Sequence, residues 1–449
     1  MIAPIKESPG EDIVASHAEE SLTLSSSPAR PARERFMGLE WLRFGLGVFI
    51  ILFHTLHVYK PLRVWTHYIT DLGFFATSTF FVLSGFLLSH VYLKPDRHYG
   101  MREPARSFWI KRFSNLYPIH IGSLILAVVV VQLVAWLAIT PGDAVRTFRF
   151  VSYDINRPVL FAGEMRHLMG NTELFVNLGL NLVMLQAWNP FYLTFNPPAW
   201  SISVLFFFYL WFPWIGPALL RLKHYARALA ITCLIYIVPA LVVIATTNFD
   251  TPETGILHRN PIIRMPEFVA GILLYALYAR RRDAGLALSR GQVAGLLALI
   301  VASFCLGQWF LTFGSAFYYL LHDGLLLPAC LAAVYLAARA PAAGSENVNT
   351  WAVKLGGAAL PMFALHIPLY TLYTRVEKIV RGEPTLCLTG HWQACTQAAG
   401  EITLSFWAYP IFLAGTIAFC VVFQERFVRA VRRRIEPPLM RWFMGDKRA

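Results

Sequence analysis

Apolar runs dominate the chain, each near the length of a bilayer-spanning helix and separated from the next by a short polar or basic segment. The best-defined runs cover 40–58, 71–93, 114–138, 200–220, 229–247, 264–279, 292–312, 319–337, 355–375 and 403–424. About 20 apolar residues carry a helix across the hydrocarbon core. Backbone in lipid must satisfy its own hydrogen bonds, so these runs predict helices. A β-barrel would show short alternating segments instead. The expected fold class is all-α: a polytopic integral membrane helical bundle of ten spans. Residues 173–188 are shorter and carry Glu173, Asn177, Asn181 and Gln186, which predicts one additional short, partial or re-entrant helix.

Composition supports the same class. The chain is 56% hydrophobic and 14% charged, where a soluble domain carries about 25% charged residues. The net charge of +13 is concentrated between the runs. Arg102, Arg106, Lys111 and Arg112 form one cluster, and Arg221, Lys223 and Arg227 another. Arg280, Arg281, Arg282 and Arg290 follow, and the last cluster runs from Arg426 to Arg434. Such clusters mark cytoplasmic loops and anionic headgroups. Nucleic acid would call for a soluble basic domain, and the pattern shows none. Placing the basic loops inside gives ten spans with both termini cytoplasmic, whereas eleven would put the C-terminal arginines outside.

Three segments follow: a polar arm over 1–36, a transmembrane domain over 37–425 and a basic cytoplasmic tail over 426–449. The arm is rich in Ser, Pro and Glu, a composition expected to stay disordered. It has no short apolar core with a cleavage site, so the first span is expected to act as its own anchor. Cys233, Cys305, Cys330 and Cys420 fall in apolar runs and read as packing residues. Cys387 and Cys395 fall in the 376–402 loop, which this topology places outside. An oxidising compartment allows them to pair, and the alternative is two free thiols. No Cys/His spacing points to a metal site.

Ionisable groups within spans are costly and often functional. Arg43 and His54 lie eleven residues apart in the first span, about 16 Å along a helix and on a similar side. A cation at the inner mouth and an imidazole deeper in suit anion binding followed by proton chemistry. The alternative is an ordinary inner anchor and a hydrogen-bonded packing histidine. His57 reads as interfacial. Lys111 and Arg112 open the third span, suited to phosphates or to anchoring. Trp200, Ser201 and Ser203 open the fourth on the outer side, as Arg264 and Glu267 open the sixth. At a spacing of three, Arg264 and Glu267 either pair with each other or line a pocket. His366 lies mid-span beside Pro368, where packing is the simpler role.

These residues occur in strings that resemble one family. Leu39-Glu40-Trp41-Leu42-Arg43 followed by Phe53-His54 resembles the opening of membrane-bound acyltransferases of the acyltransferase-3 family. Phe80-Phe81-Val82-Leu83-Ser84-Gly85-Phe86 is similar to their second-span signature. Lys111-Arg112 through Tyr117-Pro118 resembles their Arg-x-x-Arg stretch, with Asn115 in place of the second Arg. Trp200-Ser201-Ile202-Ser203-Val204, then Phe208-Tyr209, is similar to their Trp-Ser string, with Leu205 in place of its Glu. Arg264-Met265-Pro266-Glu267-Phe268 and Leu365-His366 follow in order. The resemblance covers about 37–425 and matches the stand-alone form.

The resemblance implies transfer of an acyl group, often acetyl, from cytoplasmic acyl-CoA to a hydroxyl of a glycan or other acceptor in the bacterial cytoplasmic membrane. Acyl-CoA is then a co-substrate, with no bound cofactor or metal. The implied roles are catalysis for His54 with Arg43, and donor binding for Lys111 and Arg112. Trp200, Ser201, Ser203, Arg264, Glu267 and His366 would serve the acceptor. An imidazole suits general-base or covalent work at neutral pH. A small-molecule acceptor and a non-enzymatic transporter or flippase remain rival readings, although no internal repeat supports a transporter.

Overall fold

The computed structural model describes residues 35–94, 100–139, 147–153, 167–247, 251–314 and 316–445. The arm expected over 1–36 therefore falls almost wholly outside the described residues. Among the described residues from Phe36 onward, the chain is helices joined by loops, with one two-stranded antiparallel ribbon, Ser152–Tyr153 with Tyr192–Leu193.

Among the described residues, eight helices are long and apolar enough to cross a membrane, and two bent helix pairs raise the number to ten. The first half comprises α1 (Met37–Thr55), α2 (Phe74–Tyr92), α3 (Ala105–Leu137), the short α4 (Asn171–Leu182), α5 (Trp200–Leu220) and α6 (Tyr225–Thr246). The second half comprises α7 (Pro261–Asp283), α8 (Arg290–Leu311), α9 (Leu327–Arg339), α10 (Glu346–Gly357), α11 (Ala359–Arg381), α12 (Tyr409–Val422) and α13 (Arg429–Met444). The ten-span expectation therefore meets ten candidate spans at corresponding positions. The short helix expected near 173–188 is α4, whose twelve residues extend only about 18 Å, too little to cross.

α2 is the centre of the bundle. Its span is 83% buried, against 6% for α8 at the periphery. A helix apolar on every side is expected in just such a core. α2 lies directly against α7 because glycines let the backbones meet. A Cβ on Gly271 would sit 2.0 Å from the Val82 carbonyl oxygen, and one on Gly85 would sit 2.2 Å from that of Phe268. Close helix crossings in lipid rely on small residues of this kind.

α1 and α11 run side by side in the same direction. A Cβ on Gly47 would reach the Met362 sulfur at 2.8 Å and the Ala359 Cα at 3.4 Å. Further along, His54 meets His366. Before α11, α10 bends away by 56°, and Gly356 there lies against Glu40 of α1. The other bent pair joins Tyr318–Leu325 to α9 at 46°. Its break falls at Asp323 and Gly324, the latter at φ +154°. A side chain at Gly324 would also press on Ile237, 2.8 Å away.

The C-terminal arginines belong to an ordered helix. α13 follows a wide turn over Phe423–Val428, and its Leu439, Trp442 and Phe443 close a groove of about 430 Å³ against Arg106, Trp109, Arg112 and Phe113 of α3. Cys387 and Cys395 form a disulfide, with Cα atoms 5.3 Å apart.

Candidate active site

The sharpest polar contact inside the bundle joins α1 to α11. His54 Nδ1 lies 3.0 Å from the Ile50 carbonyl oxygen and 3.1 Å from His366 Nε2. His366 Nδ1 lies 2.8 Å from the Met362 carbonyl oxygen. Carbonyl oxygens only accept, so both Nδ1 atoms carry protons when the rings are neutral. His366 Nε2 is then a bare acceptor for the shared Nδ1–H of His54. It follows that His54 Nε2 carries the free lone pair, which is the atom a base or nucleophile needs. His366 is fully buried, whereas His54 is partly exposed, so His54 is the reachable member.

A second polar centre lies between α2, α6, α7 and the break before α9. The Arg264 guanidinium is fully buried and pairs with Glu267 at 2.9 Å and Asp323 at 3.1 Å. It donates to Ser78 Oγ at 3.1 Å, and lies 2.6 Å from His322 Nδ1. Breaking the helix at Asp323 frees the His322 carbonyl, which accepts from Arg264 at 3.3 Å and Tyr236 at 3.2 Å. Trp200 and Phe81 stand 6.0 and 5.7 Å from the guanidinium carbon. The His258 ring bridges this centre, 4.7 Å from Trp200 and 5.3 Å from His322. Of the two expectations for Arg264 and Glu267, their mutual pairing is what the structure shows. One carboxylate oxygen each of Glu267 and Asp323 lacks a hydrogen-bond partner among the described residues.

The remaining sequence-selected residues are dispersed. Arg43 bonds Glu40 at 3.1 Å, near the end of α1 opposite His54. Lys111 pairs with Glu103, and Arg112 donates to the Tyr92 hydroxyl while stacking 4.7 Å from that ring. Ser201 Oγ donates to the Pro198 carbonyl at 3.0 Å, and Ser203 Oγ to that of Met184 at 2.6 Å. Both hydroxyls are therefore spent on backbone, holding the start of α5. Leu205, where the family string carries Glu, is buried in the apolar core. His57 is exposed, as an interfacial residue should be.

Sequence reasoning placed His366 as a packing or acceptor residue and overlooked Asp323, His322 and His258. For Asp323 the signal was present: Leu321-His322-Asp323-Gly324 puts two ionisable groups and a glycine inside an apolar run.

Comparison with known proteins gives this geometry a setting. The family model described as "Acyltransferase domain" matches residues 37–425, most of the chain. The chain belongs to the acyltransferase-3 family. A curated relative, "Acyltransferase MdmB" of Streptomyces mycarofaciens, is 28% identical over 252 residues, covering 53% of this chain and 55% of that protein. The chain thus spans about half the length of the curated relative it matches. No solved structure matches it. The chain thus carries a domain of the acyltransferase-3 family, with its polar centres inside a multi-pass membrane bundle.

Proposed function

We propose that the protein moves an acyl group, acetyl in the simplest case, from cytoplasmic acyl-CoA to a hydroxyl of an exopolysaccharide, lipopolysaccharide or lipid-linked sugar, with His54 as the base. The observation that carries this reading is the tautomer fixed by Ile50 and His366, which leaves His54 Nε2 unprotonated. In the reaction, Nε2 takes the proton of the acceptor hydroxyl as its oxygen bonds to the thioester carbonyl carbon. The carbon–sulfur bond then breaks, and the departing thiolate takes that proton back from Nε2. While His54 is an imidazolium, its Nδ1–H remains held by Ile50 and His366.

On this reading the protein lies in a bacterial inner membrane with its basic segments and both termini on the cytoplasmic side, as the positive-inside trend favours. Arg43 then stands at the inner mouth, with the groove beside Arg106 and Arg112 on the same side. Arg43, Lys111 and Arg112 already hold protein partners, so phosphate binding would exchange Glu40 from Arg43 and Glu103 from Lys111 for phosphate oxygens. The Arg264 centre supports the reading as scaffold: it ties α7 to the broken span next to His258 and holds the core around the reacting residues. Purified protein in lipid, supplied with labelled acetyl-CoA and a membrane sugar fraction, should yield alkali-labile label in the acceptor. Movement of unmodified acceptor across the bilayer without labelling would overturn it in favour of a transporter.

A further inference from the structure

Beyond the histidine pair, toward the end of α1 and α11 away from Arg43, the wall changes character. His366, Tyr370, Tyr373 and Glu377 recur at spacings of four, three and four on α11, which places them in one stripe about 16 Å long. Tyr59, just past α1, packs on Tyr409, which opens α12, and Tyr409 joins the stripe through Phe412, whose ring meets those of Tyr370 and Tyr373. Two of its members are framework: Tyr373 Oη donates to the Ala408 carbonyl at 2.6 Å, and Tyr409 Oη lies 2.7 Å from Thr55 Oγ1. Thr55 in turn donates to the Ile51 carbonyl at 2.6 Å, so Tyr409 is the donor to Thr55.

Three polar atoms in this wall lack a partner at full hydrogen-bond geometry among the described residues. The hydroxyls of Tyr59 and Tyr370 lie near each other, yet neither completes a hydrogen bond of normal geometry among the described residues. Glu377 is 6% exposed, and its Oε1 accepts from the Ser405 amide at 2.6 Å and from Arg381 at 3.1 Å. Its Oε2 has no partner among the described residues. Tyr59 is 4% exposed, whereas Tyr370 is partly open. Leaving buried polar atoms unmatched costs free energy that a bound ligand would recover.

We infer that Tyr59, Tyr370 and Glu377 form the recognition site for the acceptor: a polyhydroxylated ring, neutral or cationic, whose reacting hydroxyl reaches His54. This deepens the acyl-transfer reading and rests on it for the identity of the ligand. It also relocates the acceptor from Ser201 and Ser203, whose hydroxyls are occupied, to residues one or more turns beyond the base. Two hydroxyls that both donate and accept suit a sugar edge, and the tyrosine rings supply flat apolar faces. The free Glu377 oxygen selects against an anionic ring.

Binding is measured without acyl donor, by saturation-transfer NMR titration of the full chain in lipid nanodiscs. The probes are phenyl β-D-glucopyranoside and its anionic counterpart phenyl β-D-glucuronide. The glucoside should bind saturably, and the glucuronide at least about tenfold more weakly. Tyr59→Phe with Tyr370→Phe should weaken glucoside binding roughly tenfold, the loss of two neutral hydrogen bonds. Glu377→Gln should narrow the gap between the probes, while Ser201→Ala with Ser203→Ala leaves both unchanged. Absence of saturable glucoside binding, equal binding of the two probes, or unchanged binding in the tyrosine and glutamine variants overturns the inference. His54→Gln should keep glucoside binding, so a failure of acyl transfer and a failure of this site are read separately.

Discussion

Replacing His366 tests the link between the histidine pair and catalysis in a graded way. In the structure the Nδ1–H of His54 is shared between the Ile50 carbonyl at 3.0 Å and His366 Nε2 at 3.1 Å. Leucine at 366 removes the second acceptor but leaves the first, so the tautomer survives and only the ring orientation loosens. One net hydrogen bond is about 0.5–1.5 kcal/mol, or roughly a two- to twelvefold loss in rate. Removing the base itself is expected to cost roughly 10²–10⁴-fold. Glutamine at 366 offers Oε1 as an acceptor and should recover most of the loss. The assay is the initial rate of label transfer from acetyl-CoA, with the KM for acetyl-CoA followed in parallel. His366→Leu should lower kcat and leave that KM near the wild-type value. A rate equal to wild type, or one as low as that of His54→Gln, would refute the shared-proton geometry.

Other outcomes follow from the packing and the charges. Gly271→Ala forces a Cβ to within 2.0 Å of the Val82 oxygen and should cost about 1–3 kcal/mol of stability, read as a lower melting temperature in detergent; Gly45→Ala, with nothing within 4 Å, should not. Arg264→Met strands Glu267 and Asp323 without their shared cation and should cost about 3–5 kcal/mol, seen as loss of folded protein after extraction. Burial acts to raise the Glu173 carboxyl, but hydrogen bonds from Tyr192 and His167 outweigh it and hold the group below its ordinary value. Its stabilising effect is therefore present above the ordinary carboxylate range and is lost as pH falls through the depressed value. Hydrogen exchange in 167–193, corrected for intrinsic rate, should speed up toward acid in the wild type, and Glu173→Gln should remove that pH dependence.

The spans were readable because lipid imposes one rule on every residue of a run, and the short Glu173-containing helix stood out by breaking it. The breaks inside two spans were harder to see. Gly324 sits in a run whose apolar character says nothing of a left-handed backbone, and the bend before Ala359 depends on how Gly356 meets Glu40. At the site, Arg43 and His54 could be singled out because both lie in one helix at a helical spacing. His366 is 312 residues from His54, so their contact is set by the packing of α1 against α11 and leaves no local trace. Ser201 and Ser203 looked available because a sequence cannot show which carbonyl a hydroxyl will find. The tyrosines escaped for the opposite reason: near span ends they look like interfacial anchors, and only the fold gathers Tyr59, Tyr370 and Tyr409 on one wall.

The most direct test of the account is acyl transfer by purified wild-type protein and by His54→Gln, both reconstituted in lipid and matched for insertion and melting temperature. Labelled acetyl-CoA is supplied on the side of Arg43, and alkali-labile label is counted in the hydroxyl acceptor. The wild type should transfer label and His54→Gln should fall by roughly 10²-fold or more. Transfer at the wild-type rate by the folded His54→Gln protein would contradict the assignment of His54 Nε2 as the base.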